Sequence, residues 1–254
     1  MSNPWFGRWV PPLKRTDDKP DFSLLDKRIT ELIAGDDEAA QHADALKAEV
    51  AKLAAMRAGC IMPQQLDEAA LDRLKQYGRI LLMLHKRASS SSIVFKWHCT
   101  ITPHGGGLFM SDPAVCKGGL GLELRAVVYQ MAVCCSAIAA RLSEGEEAVK
   151  AAKWFKNAYF LFDHAHSLEV DLHKKCTLNR DLKPDVLFAL SRVMLAQAAN
   201  VYQRVMSQAI KTRFEREPEG ARQHPREQRV RALQPHATAP DGRGPASLLC
   251  RCFN

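Results

Sequence analysis

The sequence predicts a mainly α-helical protein with one small β element. Apolar residues recur at helical spacing in six successive stretches between residues 21 and 210, and only residues 93–98 alternate with the period of a strand. The composition agrees: 46% of the 254 residues are hydrophobic and 25% charged. That balance excludes a collagen, a disulfide mini-protein or a wholly disordered chain, and the length suffices for a real core. No transmembrane segment is expected. The longest apolar run, Ala126 to Ala140, is interrupted by Gln130 and Ser136 and falls short of the roughly 20 residues a bilayer needs.

Taken in order, Pro11-Pro12-Leu13-Lys14-Arg15-Thr16 is extended, because each proline fixes φ and lacks a donor. Asp21 or Ser23 caps a first helix bearing Leu25, Ile29, Leu32 and Ile33. Ala34-Gly35-Asp36-Asp37 breaks it and starts a second, running to about Ala58 with Ala39, Ala43, Leu46, Val50 and Leu53 inward. A third, from about Gln64 to Lys86, presents Leu66, Ala70, Leu74, Tyr77, Leu81 and Leu84. Ile93, Phe95 and Trp97 then share one face of a strand. A strand must pair, and the extended segment near residues 9–16 is its expected partner.

Beyond Gly105-Gly106-Gly107, helical spacing returns. Leu124, Val127, Met131, Cys134, Ile138 and Leu142 form one stripe, widened by Val128 and Cys135. The next helix, about Glu144 to Leu168, carries Ala148, Ala152, Phe155, Tyr159 and Phe162. Pro184 opens a last helix with Leu187, Leu190, Met194, Val201 and Val205. Such wide apolar faces fit helices packed on two sides, as in a solenoid or bundle. No exact short repeat marks an array.

From Lys211 the character changes. The last 44 residues hold 5 of the 13 prolines and only 13 hydrophobic residues. The expected division is therefore a helical domain over residues 1–210 and a disordered, basic Pro/Arg-rich tail over 211–254. The tail carries half of the net charge of +8, leaving a nearly neutral body. No nucleic-acid partner is expected, since the body lacks a concentrated basic face. Met1-Ser2-Asn3-Pro4-Trp5 is no secretory signal, and eight irregularly spaced cysteines suit reduced thiols, so a cytoplasmic chain is expected.

Candidate chemistry is sparse. His164 and His166 diverge by about 200° on a helix, and with His173 and Cys176 they lack zinc spacing, so they are read as surface or interface histidines. Cys134-Cys135 is no Cys-x-x-Cys pair and reads as buried small apolar residues. Gly105-Gly106-Gly107 lacks a P-loop ending, and no well-formed strand leads into Gly118-Gly119-x-Gly121. Close packing or a bend explains those glycines better. Glu144, Glu146 and Glu147 complement a helix start, with a binding role as the lesser reading. No catalytic constellation can be nominated, and no metal or cofactor is expected. An enzyme is not predicted.

Several strings nevertheless resemble the Bro1-domain family of endosomal sorting adaptors. These are Ile93-Val94-Phe95-Lys96-Trp97, the helix from Leu122-Glu123-Leu124-Arg125 to Ser136-Ala137-Ile138-Ala139, Lys150 to Ala158, and Met194-Leu195-Ala196-Gln197-Ala198. Trp5-Phe6 with Pro12-Leu13-Lys14 adds a similar start. Gln130 stands where many members have Asn, and Ala199-Asn200 replaces a Gln-Glu. The resemblance covers about residues 9–210. It implies a Bro1-like helical solenoid with tetratricopeptide-like helix packing, a small N-terminal β element, and a domain shortened relative to the family pattern.

The function implied is non-catalytic. Such adaptors hold the C-terminal amphipathic helix of a Snf7-type charged multivesicular body protein in a groove, and association with endosomes follows through partners. By resemblance Tyr202 faces that groove, although an ordinary core aromatic remains the alternative. Glu144, Glu146 and Glu147 align approximately with an acidic flank. Glu215-Arg216-Glu217-Pro218 stands where apolar groove residues would follow. The prenylation box that the resemblance to the short, Bro1-only members implies fails here, because Cys252 is one position late. The alternative function is a helical scaffold that has lost its groove and assembles with itself or another protein.

Overall fold

The computed structural model describes residues 9–14, 16, 20, 22–23, 27, 43–87, 93–100, 115–143, 147–173 and 176–216. Most of the expected first helix, with Leu25, Ile29, Leu32 and Ile33, lies outside them, although Ser23 and Lys27 are helical; so do the Gly105–Gly107 loop, Glu144, Glu146 and everything after residue 216. Among the described residues the long helices are α1 (Ala43–Cys60), α2 (Glu68–Arg87), α3 (Leu120–Leu142), α4 (Ala148–Ser167) and α5 (Pro184–Arg216). Each packs on the next in chain order, the sequential stacking of a helical solenoid. Strands β1 (Phe95–His98) and β2 (Val115–Gly118) sit between α2 and α3 in the chain.

Local chemistry explains the boundaries. Helix α2 starts at Glu68, later than spacing alone suggests, because Asp67 caps it: its Oδ1 accepts the Ala70 N–H at 2.8 Å. Its stripe Ala70, Leu74, Tyr77 and Leu81 is fully buried. Helix α5 opens at Pro184 as expected but runs to Arg216, past the boundary placed at 210.

Strand β1 forms with Phe95 and Trp97 inward, but its partner is β2 and not residues 9–16. The antiparallel register sets Phe95 opposite Gly118 and Trp97 opposite Cys116, large against small on the inner face. That pairing explains why β2 was missed: its inward positions are a cysteine and a glycine, which carry no apolar period. The N-terminal segment docks on α3 instead. Lys14 N–H donates to Gln130 Oε1 at 3.1 Å, and Gln130 Nε2 donates to the carbonyls of Lys14 (2.9 Å) and Ile61 (3.1 Å). Near the sheet, Thr16 Oγ1 donates to the Lys96 carbonyl at 2.7 Å.

Helix α3 is buried all round from Leu120 to Ala139. It has the length and apolarity to cross a membrane, but it is wholly enclosed by protein. Its start is unusual. A strand does lead into Gly118-Gly119-Leu120-Gly121, contrary to the expectation, yet no ligand space remains there. Asp171 fills it, with Oδ1 accepting the N–H groups of Gly121 (2.9 Å) and Leu122 (3.2 Å). A Cβ on Gly119 would lie 2.1 Å from Asp171 Oδ2, and one on Gly121 would lie 2.8 Å from Oδ1. The glycines serve that close approach, and an internal carboxylate satisfies the helix's positive end.

Polar side chains inside the core connect the layers. Glu123, with no exposed surface, accepts hydrogen bonds from Arg57 Nε (2.8 Å), Tyr77 OH (2.9 Å) and Trp97 Nε1 (2.8 Å). One carboxylate thus joins α1, α2, β1 and α3. A second tie is the buried Lys14–Asp181 pair at 2.8 Å, in which Asp181 Oδ2 also accepts the N–H and hydroxyl of Thr100. Arg125 completes the set, donating to the carbonyls of Leu182 and Leu168.

Two outcomes follow. Glu123→Ala removes the carboxylate that faces the Arg57 cation and leaves the buried Tyr77 hydroxyl and Trp97 indole N–H without their acceptor, so a loss of about 3–5 kcal/mol is expected in urea denaturation. A change below about 1 kcal/mol would contradict the role assigned to the carboxylate. The buried thiols give the second. Burial pushes Cys60 and Cys134 up to about 12, aided at Cys60 by the Glu123 charge and at Cys134 by Asp67. The folded chain keeps these protons where the unfolded chain releases them, so stability falls as pH rises above the unfolded value. The urea midpoint is expected to drop between about pH 8 and about pH 10, and less steeply in a Cys60→Ala/Cys134→Ala variant.

Candidate partner-binding face

Helix α5 has two apolar stripes. Leu187, Ser191, Met194, Ala198 and Val201 are buried against the body. Roughly 100° further round, Phe188, Leu195, Tyr202, Met206 and Ile210 fall within an arc of about 80°. These are 44%, 39%, 43%, 59% and 51% exposed, and Phe214, about 40° beyond the arc, is 53% exposed. From Tyr202 to Glu215 only Val205 is even partly buried. Among the described residues, the distal half of the helix therefore extends beyond the packed body.

The near half is positioned by α4. Arg192 lies over the rings of Phe188 (4.6 Å) and Tyr159 (5.8 Å), and His166 meets Phe188 at 6.0 Å. Cation–π contacts of this kind are worth about 0.5–1 kcal/mol each at exposed sites and fix the planes of the rings. Because His166 pairs with Phe188 and Tyr159 with Arg192, the two helices run antiparallel. Continuing that register carries the start of α4 towards the level of Tyr202. On the side of α5 away from the stripe, Gln197 Nε2 donates to the Trp9 carbonyl at 3.1 Å, so Trp9 sits opposite the stripe.

The nominated residues are placed unevenly. Tyr202 is exposed, which removes the reading of it as a core aromatic. Glu147 is described and exposed, pairing with Lys150 across one turn. Cys134 and Cys135 are buried, as expected of small apolar residues. Burial lowers the pKa of His164, with Asp163 opposing, and His166 stacks on Phe188. Among the described residues no histidine, cysteine or carboxylate cluster is arranged to hold a metal.

The sequence reading missed Phe188, Leu195, Met206 and Ile210. Their signal was present as spacings of seven and four, but Leu187, Leu190, Met194, Val201 and Val205 had already claimed the helix. Val205, counted there as core, is only half-buried. An exposed apolar stripe in line with an aromatic bearing a polar tip is suited to the apolar side of another helix.

Comparison with known proteins agrees with this architecture. The profile of the BRO1-like domain matches residues 10–214. The Caenorhabditis elegans protein "Apoptosis-linked gene 2-interacting protein X 1" is 28% identical over 203 residues, covering 76% of this chain and 22% of that one. Among solved structures, the "ALIX BRO1 CHMP4C complex" superposes with a TM-score of 0.60 at 28% identity, covering 76% of this chain and 55% of that chain. ALIX bound to the SIVmac239 PYKEVTEDL late domain gives 0.58 at 25% identity, over 76% and 28% of the two chains. A further Bro1-domain structure shares the fold alone, at 0.59 and 16% identity, over 76% of this chain and 50% of that one. The chain thus spans about a fifth of its curated relative and about half of the first solved domain. With the helical order, the buried Phe-x-Trp strand and a match over residues 10–214, this chain belongs to the BRO1-like domain family.

Proposed function

We propose that this chain is a non-catalytic adaptor of endosomal sorting that binds the C-terminal amphipathic helix of a Snf7-type charged multivesicular body protein. The observation that carries the reading is the open stripe of α5, with Tyr202 at its centre and 43% exposed. It is supported by the likeness, at 28% identity, to a BRO1 domain solved with CHMP4C. A bound helix would set apolar residues at i, i+3, i+4 and i+7 against Phe188, Leu195 and Tyr202. The Tyr202 hydroxyl would stay at the wet rim. Glu147, with Glu144 and Glu146 beside it in sequence, would supply the acidic flank for a cation on the partner, since the α4–α5 register carries Glu147 towards Tyr202. The adaptor would act in the cytoplasm and reach endosomes through its partner.

The test is a titration of the dilute chain with a peptide spanning that C-terminal helix. Tyr202→Asp places a charge in an apolar contact and is expected to weaken binding at least about ten-fold. Helix content and thermal midpoint should stay unchanged, because the side chain is already exposed. Equal affinity for the two proteins, or no binding by the folded wild-type chain, would refute the reading.

A further inference from the structure

One charged residue interrupts the apolar run of the α5 face. Phe188, Arg192, Leu195, Ala199, Tyr202 and Met206 follow one another at spacings of four, three, four, three and four. That seven-residue repeat is how a helix offers a seam to a second helix, each side chain entering a hole between residues of the partner. All six are exposed. Arg192 alone among them carries a charge, so an apolar neighbour suits every seam position but this one.

The guanidinium is held between two helices before any partner arrives. It lies 4.6 Å from the Phe188 ring centre on α5 and 5.8 Å from that of Tyr159 on α4. Rings engage the flat face of a guanidinium, whereas its N–H fork lies in the plane and suits a carboxylate. Among the described residues no carboxylate forms an ion pair with it. Asp163 shares a face of α4 with Tyr159 and His166 by spacing, and Asp185 stands seven residues earlier on α5, yet neither pairs with Arg192.

We propose that Arg192 selects the partner helix and sets its register by taking a side-chain carboxylate from the partner's own seam. The inference rests on the partner-helix reading and deepens it, since it names what that helix must carry. A helix laid on Phe188, Leu195 and Tyr202 also covers Arg192, which lies between the first two. A covered cation with no acceptor weakens binding, whereas an Asp or Glu opposite it makes a two-pronged, charge-assisted pair. A single charged seam position fixes register in this way, because a shifted helix leaves the charge unpaired. Tyr202 lies ten residues beyond Arg192, about 15 Å along the axis. The carboxylate therefore belongs about three turns of the partner helix away from the residue that meets Tyr202.

A double-mutant cycle tests this. The dilute full-length chain is titrated with a peptide spanning the Snf7-type C-terminal helix, and with variants in which each Asp and Glu is changed in turn to Asn or Gln. One such change is expected to weaken binding to the wild-type chain about five- to ten-fold and to have almost no effect on Arg192→Gln, which itself binds at least as weakly. Arg192→Lys keeps the charge, loses the planar fork and should recover only part of the affinity. A merely structural role for Arg192 would weaken every peptide alike, with no coupling to any one carboxylate, and would overturn the proposal. Wild-type affinity in Arg192→Gln would overturn it too, as would coupling of Arg192 to Asp163→Asn in place of a peptide carboxylate. A folded wild-type chain that binds no peptide would overturn both this proposal and the partner-helix reading, whereas binding indifferent to Arg192 overturns this one alone.

Discussion

The structure depends on one charge in the centre of its driest helix. Glu123 sits in α3 with no exposed surface, and three donors from three other elements converge on it. A buried carboxylate is costly unless its lone pairs are filled, so Arg57, Tyr77 and Trp97 must arrive together. That requirement fixes the rotation of α1, the height of α2 and the inward face of β1. Arg57 also lies 5.5 Å from the Phe95 ring and 5.8 Å from the Trp97 ring, so its charge is shared with the sheet. Lys14, Asp181 and Gln130 provide further ties two turns along α3, holding the N-terminal segment and the approach to α5. The face of α5 is accurately placed because these ties leave the layers little freedom.

Much of the fold was legible because most helices declare themselves by period. Leu74, Tyr77 and Leu81 are where their spacing puts them, and Pro184 opens α5. What stayed hidden depends on partners distant in sequence. The pairing of β1 with β2 rests on Cys116 and Gly118 being small, which is visible only once Phe95 and Trp97 stand opposite. The close packing expected of the glycines before α3 has a cause the sequence does not show: Asp171, fifty residues later, fills the space they leave. Gln130 stands where many family members have Asn, yet its amide clamps the Lys14 backbone on both sides.

The candidate face was half legible. Tyr202 could be nominated only by resemblance, since an aromatic on an amphipathic helix is equally at home in a core. Met206 and Ile210 continue its line at four-residue spacing. The sequence cannot tell that line from the core stripe beside it, because both are apolar and both are helical. Burial separates them: Met194 and Val201 are enclosed, whereas Met206 and Ile210 are more than half exposed. One helix thus has a side that holds the fold together and a side that stays exposed among the described residues.

Hydrogen exchange on the dilute chain, with and without the partner-helix peptide, tests the central claim most directly. Residues 202–215 form helix with almost no tertiary burial, so their amides should open locally and exchange fast in the free chain. With saturating peptide, the account predicts strong slowing across residues 188–210 and little change in α1 or α2. Unchanged exchange along α5, with protection arising elsewhere, would contradict it.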